Sequence, residues 1–164
     1  MPKQPRAGGK TPSPPPPDTS THTAEDRHLQ QRLRERTAEL EYAWRRCRDL
    51  FENFPAMSVV TRRGQDALPI IEDCNQRFPS ALGYTRDEIL GRPLGDFYAP
   101  DSQAAPETQP SGHTAERLDG VERQLLDKYG GVLDTMLHLV PTTAPDGSIT
   151  GTRATYLDIT ERKR

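Results

Sequence analysis

The sequence is poor in apolar residues and has no long apolar run. Hydrophobic residues make up 32% of the 164 positions and 16 residues are proline, so the whole chain cannot form one compact globule. No apolar run approaches the length that crosses a bilayer. The basic N-terminus also lacks the apolar core of a secretory signal. We therefore expect a cytoplasmic protein without a membrane partner.

Cysteine is scarce, and charge of either sign is not concentrated. Cys47 and Cys74 are the only cysteines, which fits a reducing compartment and provides no disulfide framework. No spacing of histidine and cysteine matches a zinc site, so we expect no bound metal. The net charge is −2, and no basic stripe with interleaved aromatic residues is present. We therefore expect no nucleic-acid partner.

Patterns that carry catalysis are missing as well. There is no complete glycine-rich phosphate loop and no nucleophile elbow. No histidine is followed by an acidic residue, as a kinase phosphoacceptor helix would need; His28 is followed by Leu29. We predict that this chain is not an enzyme and has no catalytic residues, although it could be part of a kinase or cyclase system.

The N-terminal third divides into two segments. Residues 1–23 are rich in Pro, Ser, Thr and Gly and predict a disordered tail. Residues 24–54 contain neither Gly nor Pro and predict one amphipathic, coiled-coil helix that ends before Pro55. Its apolar positions follow a heptad pattern that predicts the seam of a parallel homodimer, formed by Leu29, Leu33, Leu40, Ala43, Cys47, Leu50 and Phe54. The alternative is that this stripe packs back on the following domain.

Residues 55–160 predict an α+β domain with a five-stranded antiparallel sheet and short helices on one face. The five strand segments are AMSVVTR, ALPIIED, VERQLLDKYGG, VLDTMLHLVPTTAPDG and SITGTRATYLDIT. Thr85 and Glu88 have the spacing of a capping box, and Asn75 is expected to cap the helix before them. Residues 99–112 predict a surface loop. His138 is expected on the outer face of the sheet.

Three stretches of this domain, taken together, resemble the PAS family. They are LFENFPAMSVVT, NQRFPSALGYTRDEILGRPLGDFYAPD and APDGSITGTRATYLDITERKR, and they occur in that order. The upstream LRERTAELE is similar to coiled-coil linkers that precede PAS domains in bacterial sensor proteins. The resemblance, including the PAC motif at the end, implies a sensory and interaction module of the kind used in two-component signal transduction. Such a module dimerises and relays a ligand- or partner-induced change to a downstream effector.

The same resemblance assigns a role to the end of the last strand. It implies that Asp158 and Thr160 hold the junction to an output helix, which would begin at residues 161–164. We therefore expect an input module that acts alone or is a fragment of a longer protein. One alternative is the input part of a sensor histidine kinase or a cyclic-dinucleotide enzyme whose catalytic domain is absent. Another is a scaffold that dimerises without sensing.

PAS domains can hold haem, flavin or a small metabolite between sheet and helices. Leu94 stands where flavin-binding LOV domains carry their photoactive cysteine, so adduct chemistry is not expected. His113 is the only candidate for a haem ligand, and a solvated loop histidine is the favoured interpretation. We expect no cofactor, although haem and flavin stay open. Residues that would line a ligand pocket, or simply fill the core, are Phe78, Leu82, Tyr84, Phe97, Leu137 and Leu139.

Overall fold

The structure is a computed structural model that describes residues 2–5, 8–15, 19–110 and 116–164. His113 and the last two residues of the loop expected at residues 99–112 lie outside the described residues. The chain divides into two units, residues 1–45 and 46–164. In the part of the chain that the structure describes, no helix combines the length and the apolarity needed to cross a membrane.

The long N-terminal helix is present, as predicted. Helix α1 spans Thr19–Glu52, a stretch without Gly or Pro in which strong helix formers dominate. It begins earlier than the predicted residue 24 and ends at Glu52 rather than at residue 54. Beyond its end, the backbone N–H of Asn53 still donates to the carbonyl of Asp49 at 3.0 Å, and Pro55 cannot continue the helix.

Five strands form one antiparallel sheet, which confirms the predicted fold class. Their spatial order is β2-β1-β5-β4-β3, so the last strand lies in the centre, between the first and fourth strands. The residue ranges are Met57–Arg63 for β1, Pro69–Cys74 for β2, Leu118–Leu126 for β3, Val132–Thr143 for β4 and Ile149–Asp158 for β5.

In the described part of the chain, three short helices and several 3-10 turns accompany the sheet. The helices are α2 (Arg77–Leu82), α3 (Arg86–Ile89) and α4 (Thr160–Lys163). Gly83 ends α2 with a φ of 76°, a left-handed conformation that glycine adopts without steric cost. Both hydrogen bonds of the Thr85–Glu88 capping box are present at the start of α3, as the spacing predicts.

Both edges of the sheet are engaged by neighbouring segments of the same chain. At the β2 edge, the N–H of Ile71 donates to the carbonyl of Arg92 at 2.9 Å, and the N–H of Gly91 donates to the carbonyl of Ile71 at 2.8 Å. At the β3 edge, the N–H of Ala99 donates to the carbonyl of Gln124 at 2.8 Å. These bonds occupy backbone groups that an edge strand would otherwise leave open.

The expectation that residues 99–112 lie on the surface is wrong for part of this segment. Two 3-10 turns, Pro100–Ser102 and Pro106–Thr108, shape it, and Ala99, Glu107 and Thr108 are buried. Polar residues can be buried here because they have partners. The Thr108 hydroxyl donates to backbone carbonyls of the segment itself at 2.8 Å, and Glu107 binds an arginine of β3.

Candidate functional site

The residues expected to line a ligand pocket do come together in the domain interior. They form one cluster between the inner face of the sheet and the short helices. Phe78 and Phe97 make an edge-to-face contact with ring centroids 5.8 Å apart, and Tyr84 meets Phe97 in the same way at 5.3 Å. Tyr84 is partly buried against the rest of the cluster. The other five are fully buried or nearly so: Phe78, Leu82, Phe97, Leu137 and Leu139. Their role as ligand contacts stays a prediction.

A buried polar network that the sequence did not predict adjoins this cluster. The hydroxyl of Tyr98 donates to Oε1 of Glu107 at 3.2 Å and lies 2.8 Å from the hydroxyl of Tyr156. Arg123 donates from Nε to Oε1 of Glu107 at 2.5 Å and from Nη2 to Oε2 at 3.2 Å. This two-point contact is the geometry in which a guanidinium binds a carboxylate most strongly.

Burial and these partners shape the protonation of the network. Burial raises the pKa of Tyr98 well above its ordinary value, and the neighbouring Tyr156 and Glu107 raise it further. Burial also raises the pKa of Tyr156. Both phenols therefore stay protonated at neutral pH and act as hydrogen-bond donors. The hydrogen bond to Glu107 raises the pKa of Arg123, which keeps its charge.

Only part of this network could have been predicted from the sequence. Tyr156 lies two and four positions after Ala154 and Thr152 on β5, so all three share one face of the strand. All three are buried, and strand parity could have placed Tyr156 inside. Glu107 gave no such signal, because a charged residue in a proline-rich loop is normally exposed.

The end of α1 is tied to the domain by Asn75, which does not have the predicted role. The N-cap of α2 is Gln76, without a side-chain capping bond. The fully buried Asn75 side chain instead accepts from the N–H of Ser58 at 2.9 Å and donates to the carbonyls of Phe51 and Ala56 at 3.2 and 2.8 Å. The cap prediction was wrong because three buried backbone groups need partners here.

Four charged side chains form a closed ring at the same junction. Arg48 on α1 binds Glu52 at 2.6 Å and Asp73 on β2 at 2.6 Å. Arg86 on α3 binds Glu52 at 2.9 Å and also pairs with Asp73. Partial burial by itself raises the pKa of Glu52, but the hydrogen bond from Arg86 and the other contacts lower it overall. The ring therefore joins the end of α1 to β2 and to α3.

Asp158 and Thr160 lie at the boundary between β5 and α4, and α4 begins one residue before the predicted residue 161. Asp158 is the last residue of β5, and Thr160 is the first of α4. Oδ1 of Asp158 accepts from the N–H of Thr160 at 2.9 Å. The Thr160 hydroxyl accepts from the N–H of Asp134 on β4 at 3.2 Å. A signal-relay role for these residues stays a prediction.

The residues relevant to cofactors can be placed in part. Leu94 is fully buried in the core and offers no thiol, so this position does not fit covalent flavin chemistry. Cys74 is also fully buried, and burial raises the pKa of its thiol to about 11. Among the residues that the structure describes, no group of three or more His, Cys, Asp or Glu side chains is placed to hold a metal ion.

Comparisons with known proteins identify the family. The family model for the PAS domain matches residues 55–161, and the chain therefore belongs to the PAS-domain family. No curated protein matched the chain.

Solved structures agree with this assignment. The chain is 30% identical to the PAS domain of an HTR-like protein from Haloarcula marismortui, with a TM-score of 0.63, over 77% of this chain and 99% of that one. A PAS domain from Colwellia psychrerythraea is 21% identical, with a TM-score of 0.61, over 73% and 99% of the two chains. A LOV protein from Rhodobacter sphaeroides is 16% identical, with a TM-score of 0.58, over 73% and 68%. At these identities, the last two comparisons show the fold alone.

Proposed function

We propose that this chain is a cytoplasmic sensory and interaction module that dimerises through α1 and relays a change in the PAS domain to a signalling effector. Its role in this proposal is binding and relay rather than catalysis. The proposal is supported by the family, by the helix that runs directly into the domain, and by the strand that ends at Asp158.

The observation that carries the dimer is the exposure of the predicted seam. Leu33 is 66% exposed and Leu40 is 71% exposed, and Cys47 is exposed between them and the domain. A single helix with a narrow apolar stripe gains little stability alone, because most helical stability in proteins comes from packing of that stripe. A second copy of α1 would cover the stripe along its whole length.

The relay is supported by the contacts at both ends of the domain. The Asn75 hydrogen bonds and the Arg48–Glu52–Asp73–Arg86 ring fix the end of α1 to β2 and α3. Asp158 and Thr160 lie at the C-terminal boundary of the domain, where β5 ends. A ligand or partner that binds two arrangements of the domain unequally would shift the population of the helix arrangements.

Cysteine crosslinking tests the parallel dimer directly. In a parallel, in-register dimer, the two Cys47 residues face each other at a seam position and lie within reach of a disulfide. We expect mild oxidation with copper phenanthroline to give a covalent dimer in wild-type protein and in Cys74→Ser. The matched control carries Cys47→Ser and Asp49→Cys, which moves the thiol to an exposed position outside the seam and should crosslink poorly.

Light scattering supplies the second measurement. Leu40→Glu should halve the mass, because a charge at the seam opposes association. A monomeric wild-type protein would contradict the proposal. If Leu40→Glu instead lowers the melting temperature and leaves the mass unchanged, the stripe packs against its own chain.

A scaffold that dimerises without sensing is the second candidate. The observation that favours it is the close packing of the interior by aromatic and aliphatic side chains. Native mass spectrometry and visible absorption of protein purified from cells separate the two candidates. A bound metabolite, haem or flavin supports sensing, whereas protein without any bound molecule under all growth conditions supports the scaffold.

A further inference from the structure

A concave surface lies on the outer face of the sheet, opposite the face that packs on the interior cluster. It is a groove of about 360 Å³ beside the end of α1. Leu50, Phe51 and Phe54 form its wall, and Val60 and Val140 contribute apolar side chains from the sheet. This volume is near the lower end of the range for pockets that bind small molecules, roughly 300–1,000 Å³. The groove therefore suits a small, largely apolar molecule.

The groove contains one cation that has no partner of its own. Arg153 lies on β5 between Val60 of β1 and Val140 of β4. Within the residues that the structure describes, its guanidinium makes no hydrogen bond and no ion pair, and it is exposed. No acidic residue lines the groove. A guanidinium in these surroundings is electrostatically complementary to an anion and presents a fork that matches a carboxylate.

Neighbouring polar groups complete the groove without neutralising Arg153. Ser58, Thr155 and His138 lie side by side across β1, β5 and β4. Asp119 on β3 pairs with His138 and so continues this row. Nδ1 of His138 is 2.5 Å from Oδ1 of Asp119, so this carboxylate is engaged by the histidine. The hydroxyls of Ser58 and Thr155 make no hydrogen bond within the described residues and can donate to an anion held by Arg153.

We propose that this groove binds a small amphipathic carboxylate, with its apolar body against Phe54 and the valines and its carboxylate on Arg153. The site is distinct from the interior of the domain, because residues on the outer and inner faces of a strand alternate. Leu50 and Phe54 belong both to the groove wall and to the predicted dimer seam. A bound carboxylate would therefore contact the helix through which the domain is proposed to dimerise, although binding itself does not require the dimer.

Calorimetric titration of the full chain with decanoate tests the proposal. Decanol and decyltrimethylammonium serve as probes with the same tail and an uncharged or positive head. We expect decanoate to bind and the other two to bind at least tenfold more weakly, because hydrogen bonds to a charged group contribute more than neutral ones. Arg153→Gln should weaken decanoate binding about tenfold or more. Arg62→Gln is the matched control, an exposed arginine that does not line the groove, and should leave the affinity unchanged.

Three results would overturn the proposal. The first is no decanoate binding, and the second is equal affinity in Arg153→Gln and wild type, which would place any ligand elsewhere. The third is a changed mass of Arg153→Gln in light scattering, which would make the groove an interface between copies, because Arg153 is not a residue of the predicted seam. Cys47 crosslinking is measured without decanoate, so its success or failure tests the dimer separately from the groove.

Discussion

Arg123→Met should destabilise the domain far more than the loss of an ordinary surface ion pair. The substitution keeps an unbranched side chain of similar length but removes both hydrogen bonds to Glu107. Glu107 is only 3% exposed, so its carboxylate would be left buried with the Tyr98 hydroxyl as its remaining partner. A buried charge without its counterion is one of the few single changes that cost several kcal/mol.

The magnitude follows from the exposure of the two partners. Breaking a buried ion pair costs roughly 3–5 kcal/mol. The Arg123 side chain is 17% exposed, so water partly solvates its side of the pair, and we expect the lower end, about 3 kcal/mol. For a domain of this size, that loss corresponds to a decrease in melting temperature of about 10 °C. The double variant Glu107→Leu, Arg123→Met should recover most of the loss, because no charge stays buried.

Urea unfolding followed by circular dichroism measures these differences. Lys163→Met is the control, because it removes solvent-exposed contacts of the lysine with Glu122 and Asp134 and should change stability little. The reasoning is refuted if Arg123→Met costs no more than Lys163→Met. It is also refuted if the double variant is less stable than Arg123→Met alone, since Glu107 would then stabilise the fold without its arginine.

Three further predictions concern the junction, the capping box and the buried thiol. Asn75→Ala should cost about 2–4 kcal/mol in urea unfolding, because it leaves buried backbone groups unsatisfied, whereas a cost near zero would contradict the structural role of the Asn75 hydrogen bonds. Thr85→Ala should cost about 1 kcal/mol, and Thr85→Ser should keep most of the stability. Burial raises the pKa of Cys74 from 9.0 to about 11. The contribution of the protonated thiol to the free energy of unfolding is therefore complete below pH 9 and is lost as the pH rises through 11. Wild type should therefore lose stability relative to Cys74→Ala over that window, and parallel pH profiles would contradict this.

Local patterns explain why much of the fold could be predicted from the sequence. Leu137 and Leu139 alternate with His138 along β4, and that alternation alone places the leucines inside and the histidine outside. The capping box depends on two residues three positions apart, so it is also visible in the sequence. The family motifs supplied the order of the elements, which periodicity does not determine.

The parts that could not be predicted depend on contacts between distant segments. Glu107 is buried because Arg123 reaches it from another element, and no spacing rule connects a loop residue to a strand residue sixteen positions later. The role of Asn75 depends on the carbonyls of Phe51, in the last turn of α1, and of Ala56, in the link that follows, and the last carbonyls of a helix have no partner within it. The groove on the outer face arises where the end of α1 meets the sheet, so its residues come from four separate elements and the link after α1.

The hydrogen bonds along the two outermost strands limit how this protein can self-associate. Because Ile71 on β2 and Gln124 on β3 already share their backbone groups with neighbouring segments, another molecule cannot pair with these positions to extend the sheet strand by strand. Open-ended fibrous growth is thereby disfavoured. Concentrating the protein should yield assemblies of fixed size, in which side-chain surfaces rather than main-chain pairing hold the copies together.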